Sequence, residues 1–269
     1  MSTLSATNRS RQKVLGYPVD VVDEERALAV VEAAWENHKP LHIVTLNAEM
    51  VVAAQQDGEL DRIIRRAHLI IPDGAGVVWA VRLSGQQIQR LPGIELAAAA
   101  LGRAAAENRK VALIGGRQEV LEKLIYCLGE RFPGINIVAW HNGYFQSDEA
   151  EEIVDEIAHT EPDLLLIALG VPKQEYFIDK WAHRFPSSVM IGVGGSFDVW
   201  AGEVKRAPKV MRDLHLEWLY RLVVEPWRWR RIGSALPNFG FQVLHDRLKN
   251  KGNTPEAGNA SDKPDDTQK

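Results

Sequence analysis

The chain of 269 residues has little of what would mark a secreted, membrane-spanning or cysteine-rich protein. Its only cysteine, Cys127, excludes an internal disulfide and any site built from several cysteines, as expected in a reducing compartment. No segment approaches the ~20 continuous apolar residues of a transmembrane helix. The polar start MSTLSATNRSRQK has no apolar signal-peptide core. We therefore expect a cytoplasmic protein.

Two nucleotide-enzyme motifs are also missing. No D-x-D triplet occurs, and His, Asp and Glu show no metal-ligand spacing, so we expect no bound metal. Arginine, lysine and backbone amides would then neutralise an anionic ligand. GVGGSFD has Phe197 where a dinucleotide fingerprint needs a third small residue, and IGGRQE at 114–119 also lacks the spacing. The missing glycine fingerprint disfavours a nucleotide-cofactor oxidoreductase, which stays open as an alternative.

Charge is distributed unevenly along the chain. The net charge is −4, yet residues 205–231 hold eight Lys/Arg against three Asp/Glu, which leaves −9 for the rest. A nucleic-acid-binding protein would be basic overall or across a broad face, so no nucleic-acid partner is expected. The basic segment indicates a local anionic partner instead.

Short apolar runs alternate with helical patterns through most of the chain. Strands buried on both faces are apolar at successive positions, and their alternation with helices predicts βαβ units. The predicted fold class is α/β: a Rossmann-like, mostly parallel sheet with helices on both faces and a C-terminal helical appendage. The predicted strands are 41–47, 68–74, 110–116, 135–140, 163–170 and 188–195, and the predicted helices 23–37, 48–67, 74–83, 94–108, 117–131, 148–160 and 173–184.

Composition divides the chain into four parts. Residues 1–13 and 249–269 are polar and are expected to be disordered. Residues 14–204 form the predicted catalytic α/β domain, and residues 205–248 form a basic, Trp/Arg-rich appendage that is expected to lie near a membrane.

The appendage contains LHLEWLYRLVVEPWRWRR, in which tryptophans interleave with arginines. A core-packing amphipathic helix is the ordinary interpretation of its apolar spacing. Trp218, Trp227 and Trp229 beside four arginines favour an anionic membrane surface. An exposed apolar face could equally be buried between subunits, so a homo-oligomer stays open.

The carboxyl ends of parallel strands are where such sheets bind ligands. A Pro-Asp-Gly turn alone is commonly structural. Beside a threonine and an asparagine at another strand end, however, its carboxylate could take a proton from an acceptor hydroxyl. The strand-end candidates are Thr45, Asn47, Asp73, Gly74, Gly115, Gly116, Gly170, Gln174, Gly194, Gly195 and Asp198.

Three further features suit a phosphate, and each has an ordinary structural interpretation. GVPKQE places Lys173 and Gln174 in the first turn of a helix, where phosphates or sugar hydroxyls bind, although a plain loop explains it equally well. The GVGGSFD turn would let the amides of Gly194 and Gly195 approach a nucleotide. Arg90 could pair with phosphates, although a solvated side chain is the commoner role.

Several segments occur together and in order: TLNAEMV, IPDGAGVVWA, RLPGIEL, ALIGG, HNGYF, PDLLLIALGVPKQE, GVGGSFDVWAG, KRAP and LEWLYRLVVEPWRWRR. The set resembles the WecG/TagA/CpsF glycosyltransferases over about residues 13–245. The resemblance implies an inverting, metal-independent transfer of an N-acetylmannosamine-type or related sugar from a UDP-sugar to a polyprenyl-diphosphate-linked sugar. It implies cell-envelope or exopolysaccharide synthesis, with no cofactor beyond the donor substrate.

The resemblance also implies roles for individual residues. Asp73 falls on the family's proposed base, with Thr45 beside it, and Arg221 falls on an appendage arginine that completes the site at the membrane. Glu95 stands where an aspartate is usual. The substrate-binding residues that the resemblance implies are Asn47, Arg90, Glu95, Gln174, Arg228 and Arg231. The strand-end positions and the GVPKQE loop add Gly74, Gly115, Gly116, Lys173, Gly194, Gly195 and Asp198 to the predicted substrate-binding set.

This resemblance predicts a peripheral protein at the inner face of the plasma membrane. Besides the oxidoreductase, a non-catalytic, membrane-associated binding protein remains an alternative, in which the Trp/Arg segment recruits partners.

Overall fold

The computed structural model describes residues 10–213, 216–224 and 229–251. Two short strands form an antiparallel hairpin, and six form a wholly parallel sheet in the order β4-β3-β8-β7-β5-β6. The predicted α/β class and all six predicted strands are confirmed. The strands are β1 (Arg11–Val14), β2 (Tyr17–Asp20), β3 (Leu41–Leu46), β4 (Leu69–Pro72), β5 (Lys110–Gly115), β6 (Asn136–His141), β7 (Leu164–Ala168) and β8 (Val189–Gly192).

Helices connect the strands and follow the last of them. Asp23, Asn47 and Asp57 cap the first three, each by accepting a backbone N–H of the first helical turn. The helices are α1 (Glu24–Glu36), α2 (Ala48–Ala54), α3 (Gly58–Arg66), α4 (Ala75–Leu83), α5 (Gly93–Ala106), α6 (Gln118–Arg131), α7 (Ala150–His159), α8 (Lys173–Trp181), α9 (Ser196–Trp200), α10 (Lys209–Asp213), α11 (Glu217–Val224) and α12 (Trp229–Lys251), with a short 3₁₀ helix at Ala182–Arg184.

Helices cover both faces of the parallel sheet, because successive strand residues point to opposite sides. Helices α1, α5, α6 and α9 bury one face. Helices α2, α3, α4 and α12 cover the other face near β3 and β4, and α7 and α8 cover it near β5 and β7. Helix α12 therefore belongs to the core of the domain: Ala235, Phe239 and Val243 are buried there.

Two local features differ from the sequence prediction. The stretch 48–67 forms two helices rather than one, because the Asp57 carboxylate accepts the N–H groups of Glu59 and Leu60 and starts a new helix. The chain is ordered as a strand from Arg11, before the predicted boundary at residue 14. Residues 1–9 and 252–269, which include most of the two predicted disordered ends, lie outside the described residues.

The β1–β2 hairpin, which the sequence pattern does not reveal, is tied to the edge strand β4 by one buried carboxylate. Asp20 is 1% exposed. Its Oδ2 accepts the Ile70 N–H at 2.8 Å, and Arg11 donates to both oxygens at 2.9 Å. The hairpin thus supplies a hydrogen-bond acceptor to a backbone N–H of the edge strand β4, which could otherwise pair with a strand of another chain.

We expect Asp20→Ala to lower the free energy of unfolding by about 1–3 kcal/mol, because the buried Ile70 N–H loses its acceptor. Urea denaturation followed by circular dichroism measures this. Asp148→Ala, at an exposed position, is the matched control and should change stability little. Equal stability of the two variants would show that the hairpin is held by its apolar contacts alone.

Candidate active site

The predicted strand-end residues share one edge of the sheet. Ile43 of β3 pairs with Ile191 of β8, so Thr45 lies level with Val193, just before the glycine turn. On the other side of β3, Leu46 pairs with Pro72, which brings Asn47 beside Asp73. The sheet order therefore confirms that these chain segments converge, as predicted.

The tightest part of this edge is a cluster around Asp73. The Gly93 N–H donates to Asp73 Oδ1 at 3.1 Å, which joins the carboxylate to the start of α5. A Cβ at Gly93 would lie 2.5 Å from the Thr45 methyl carbon, and a Cβ at Gly74 would lie 2.8 Å from the Asn47 Cβ. Both glycines are needed because any side chain would push these segments apart. Thr45, Asn47, Asp73 and Gly74 are thus brought together.

Arg90 and Glu95 belong to a second cluster, an ionic network with the appendage. Arg90 donates to Glu217 Oε2 at 2.6 Å, and these side chains are only 10% and 9% exposed. Arg206 donates to Glu95 Oε1 at 2.5 Å and lies 3.9 Å from Glu217 Oε1. Arg212 lies 3.7 Å from the same Glu95 oxygen. The network joins the start of α5 to α10 and α11.

This ionic network holds more donors than its carboxylates satisfy. The Nε atoms of Arg90, Arg206 and Arg212 are buried and have no hydrogen-bond partner among the described residues. Three guanidinium groups surround only two carboxylates, and this excess of positive charge suits an anion.

Sequence reasoning did not select Arg206, Arg212 or Glu217 as site residues. Arg206 stands within the quoted KRAP segment, and Glu217 is one of three acids among the eight basic residues of 205–231. Its place within the apolar run LHLEWLYRLVV was the available signal, since a carboxylate that is buried with apolar neighbours needs a partner.

Gln174 lies behind the glycine turn (residues 192–195) and is not on the surface of the carboxyl edge of the sheet. It is 1% exposed, its Oε1 accepts the Gly194 N–H at 3.1 Å, and its Nε2 donates to Glu175 Oε1 at 3.2 Å. The Gly194 N–H, predicted to face a phosphate, therefore donates to a side chain of the protein. Lys173 is exposed at the start of α8.

The remaining strand-end residues lie further along the same edge. A Cβ at Gly116 would contact Phe197 of α9, and a Cβ at Gly115 would clash with the Ala168 backbone of β7. The Asp198 carbonyl accepts the N–H groups of Glu203 and Val204. Four strand spacings of about 4.8 Å separate β4 from β5, so Asp73 and Gly115 lie roughly 19 Å apart. Asp73 and Gly115 could therefore contact the same ligand only if it were extended, with one residue at each of its ends.

The appendage is described in part. Arg228 and Trp227 lie outside the described residues, as do the side chains of Arg221, Arg231 and Trp229. Among the side chains that are described, several apolar ones are exposed on α11 and α12: Trp218, Leu219, Val223, Val224, Phe241, Leu244 and Leu248.

The described ranges contain neither a metal-binding cluster nor a membrane-spanning helix. Within residues 10–213, 216–224 and 229–251, no three His, Cys, Asp or Glu side chains are grouped so as to hold a metal ion. No helix in those ranges has the length and apolar character to cross a membrane.

Comparison with known proteins gives the family. The model of the glycosyl transferase WecG/TagA/CpsF family matches residues 12–253. An N-acetylglucosaminyldiphosphoundecaprenol N-acetyl-beta-D-mannosaminyltransferase of Bacillus spizizenii is 39% identical over 238 residues, which is 87% of this chain and 91% of that protein. The Bacillus subtilis enzyme of the same name is 39% identical over 78% of this chain and 80% of its own.

A third relative, of Staphylococcus aureus, carries the same name. It is 35% identical over 256 residues, 93% of this chain and 99% of its own. These matches favour the transferase over both alternatives, the oxidoreductase and the non-catalytic binding protein. The chain is a glycosyltransferase, and it belongs to the WecG/TagA/CpsF family.

Proposed function

We propose that the chain moves an N-acetylmannosamine-type sugar from a UDP-sugar to a polyprenyl-diphosphate-linked sugar, with inversion at the anomeric carbon. The observation that carries this proposal is the buttressed Asp73 carboxylate at the carboxyl edge of the sheet, beside Thr45 and Asn47. The names of the relatives support the choice of sugar and acceptor, because all three name an N-acetylmannosaminyl transfer to a diphosphoundecaprenol-linked sugar.

Asp73 is the proposed general base. An acceptor hydroxyl attacks the anomeric carbon from the face opposite UDP, and its proton passes to the Asp73 carboxylate. The new C–O bond forms as the bond from the anomeric carbon to the phosphate oxygen breaks. The Gly93 N–H fixes one carboxylate oxygen, so the base is oriented before the acceptor arrives.

The leaving UDP needs positive charge near its diphosphate. The guanidinium groups of Arg90, Arg206 and Arg212 surround two carboxylates and keep buried Nε donors without partners among the described residues. We assign the diphosphate to this ionic network, with Arg221, Arg228 and Arg231 as the appendage arginines that complete it. Arginine charge would then do the work of a metal ion, so the proposed reaction needs no metal.

Glu217 is proposed to hold α11 against the start of α5. Its pair with Arg90 is almost fully buried, and Arg206 supports it from the second oxygen. Position 221 follows Glu217 by one helical turn, so the pair also sets where that turn of α11 lies.

The exposed apolar side chains of α11 and α12 are proposed to face a membrane. Phe241, Leu244 and Leu248 follow one another at helical spacing on α12, opposite the buried Ala235, Phe239 and Val243. A polyprenyl-linked acceptor lies in the bilayer, so peripheral binding there, at the cytoplasmic face, would bring the cleft to its substrate.

We expect Asp73→Asn to reduce kcat by about 10²–10⁴-fold, because the amide cannot accept the proton. The measurement is UDP release from UDP-N-acetylmannosamine with a short-chain polyprenyl-diphosphate N-acetylglucosamine acceptor, with EDTA throughout. The amide oxygen can still accept the Gly93 N–H, so the thermal midpoint should stay close to that of the wild type. Near-wild-type turnover in a folded variant would exclude Asp73 as the base, and wild-type activity restored only by magnesium would exclude the metal-independent reaction.

We expect Glu217→Gln to lower kcat/KM by at least about tenfold, since it leaves the nearly buried Arg90 without its counter-charge. The same UDP-release assay measures this. Glu130→Gln, at an exposed position of α6, serves as the control and should behave as the wild type. A rise in kcat/KM would mean that Glu217 competes with the donor for Arg90 instead of positioning α11.

We expect the triple variant Phe241→Ser, Leu244→Ser and Leu248→Ser to bind vesicles of phosphatidylglycerol and phosphatidylcholine at least about tenfold more weakly, because it removes apolar area. Vesicle co-sedimentation measures the partition. Tyr126→Ser, equally exposed on α6, is the control. Unchanged vesicle binding with a loss of oligomers in sedimentation velocity would assign this face to a second copy of the chain.

A further inference from the structure

A buried chain of polar groups runs from the start of β3 to the glycine turn after β8. The His42 Nε2 lies 3.0 Å from Glu175 Oε2, and the second oxygen of Glu175 accepts from Gln174 at 3.2 Å. Gln174 in turn accepts the Gly194 N–H at 3.1 Å. His42 is anchored through its own backbone N–H, which donates to His68 Nδ1 at 3.0 Å.

The burial of this chain is unusual for such polar groups. Glu175 is 0% exposed, Gln174 is 1% exposed and His42 is 8% exposed. A carboxyl group is rarely fully buried unless it is paired, because burial without partners costs several kcal/mol. Here each oxygen of Glu175 has a named partner.

The glycine strand end is shaped by the same side chains. A Cβ at Gly192 would collide with the Gln174 amide and would lie 2.9 Å from Glu175 Oε1, so only glycine fits there. Gly194 follows with φ +51°, in the left-handed region that favours glycine. The GVGG and PKQE segments, which look like two separate ligand motifs in the sequence, thus form one packed unit.

Helix α8, which carries Gln174 and Glu175, is itself held on its outer side. Arg62 of α3 donates to Asp179 Oδ2 at 2.6 Å, and the Tyr176 hydroxyl donates to the Asp57 carboxylate. Burial and that carboxylate raise the pKa of Tyr176 to about 12, so its hydroxyl remains a donor at neutral pH. The helix is therefore a fixed platform for the two buried side chains.

We infer that His42 and Glu175 are positioning residues of the transfer site. They hold the Gln174 amide so that it fixes the Gly194 N–H and, with it, the conformation of the turn 192–195 at the carboxyl edge of the sheet, where the sequence predicts contact with the nucleotide. Gln174 then acts on the donor through the turn. The inference rests on the proposed function for its kinetic consequence, but its structural consequence at Gly194 is independent of any activity.

His42 lies away from the carboxyl edge of the sheet, near the opposite end of its strand. It lies three residues before Thr45 on β3, roughly 10 Å along the strand. The hydrogen-bonded route from His42 to the glycine turn is the buried chain. Removing His42 should reproduce the effect of removing the Gln174 acceptor.

The test uses the full chain and three disruptive variants, His42→Phe, Glu175→Ala and Gln174→Met. Hydrogen exchange, followed by mass spectrometry on peptides that cover residues 192–197, measures the protection of the turn. Steady-state UDP release gives KM for the UDP-sugar and kcat separately. We expect exchange in the turn to be about tenfold faster and the donor KM to be about tenfold higher in each variant, with a smaller change in kcat.

Two further variants separate positioning from general stability. His42→Gln can still donate to Glu175, so we expect it to restore both protection and KM to near the wild-type values. Lys180→Gln, at an exposed position of the same helix, should leave the turn and the donor KM unchanged. Gln174→Met keeps the length of the side chain, so it remains informative if Glu175→Ala fails to fold.

Each outcome bears on the inference. Folded variants with unchanged exchange at 192–197 would overturn it, whatever their activity. A raised KM in Gln174→Met alone, with His42→Phe like the wild type, would also overturn it, because Gln174 would then act directly. If the wild type shows no turnover of any UDP-sugar, the proposed function fails, and the exchange data still decide whether the buried chain orders the turn.

Discussion

A parallel sheet that is buried on both faces leaves its carboxyl edge as the place where polar chemistry can meet solvent. Helices cover the strands on each side, so polar side chains are tolerated only where a strand ends or where a hydrogen-bond partner is present in the core. Strand ends carry Thr45, Asn47 and Asp73. The core holds the hydrogen-bonded pair His42 and Glu175. Both the cleft and its support follow from this one constraint.

Close backbone approach links the cleft to that support. At three places a methyl group on a glycine would separate segments that are in contact: Gly93 against Thr45, Gly74 against Asn47, and Gly192 against Gln174. Each contact joins residues distant in the chain and adjacent at the edge of the sheet. The proposed base, its neighbours and the glycine turn are therefore placed by packing of the backbone, and polar side chains then fix their final directions.

The sequence predicts much of this molecule because its strands and helices obey simple periodicities. All six strands of the main sheet, and the convergence of TLN and PDG, follow from apolar runs and from the rule for parallel sheets. The hairpin was not predicted, since its four-residue strands carry no clear alternation and the Arg11–Asp20–Ile70 arrangement that ties it to β4 joins distant residues. The ionic network was not predicted for another reason. Arg90 and Glu217 are 127 residues apart in the sequence, and only tertiary packing brings them together. Gln174 is predicted as a ligand contact because sequence cannot show that its amide is buried.

The Arg90–Glu217 pair has a thermodynamic consequence. One partner belongs to the α/β domain beside the proposed base, and the other to α11, which also exposes Trp218 and Val223. Any ligand that changes the strength of this pair and any surface that shifts α11 act on one shared equilibrium. If α11 meets a bilayer as proposed, linkage requires reciprocity: the factor by which the bilayer tightened donor binding would equal the factor by which the donor tightened attachment to the bilayer. An enzyme built this way would dwell longest on the membrane when it is loaded and would be released more readily once its nucleotide has left.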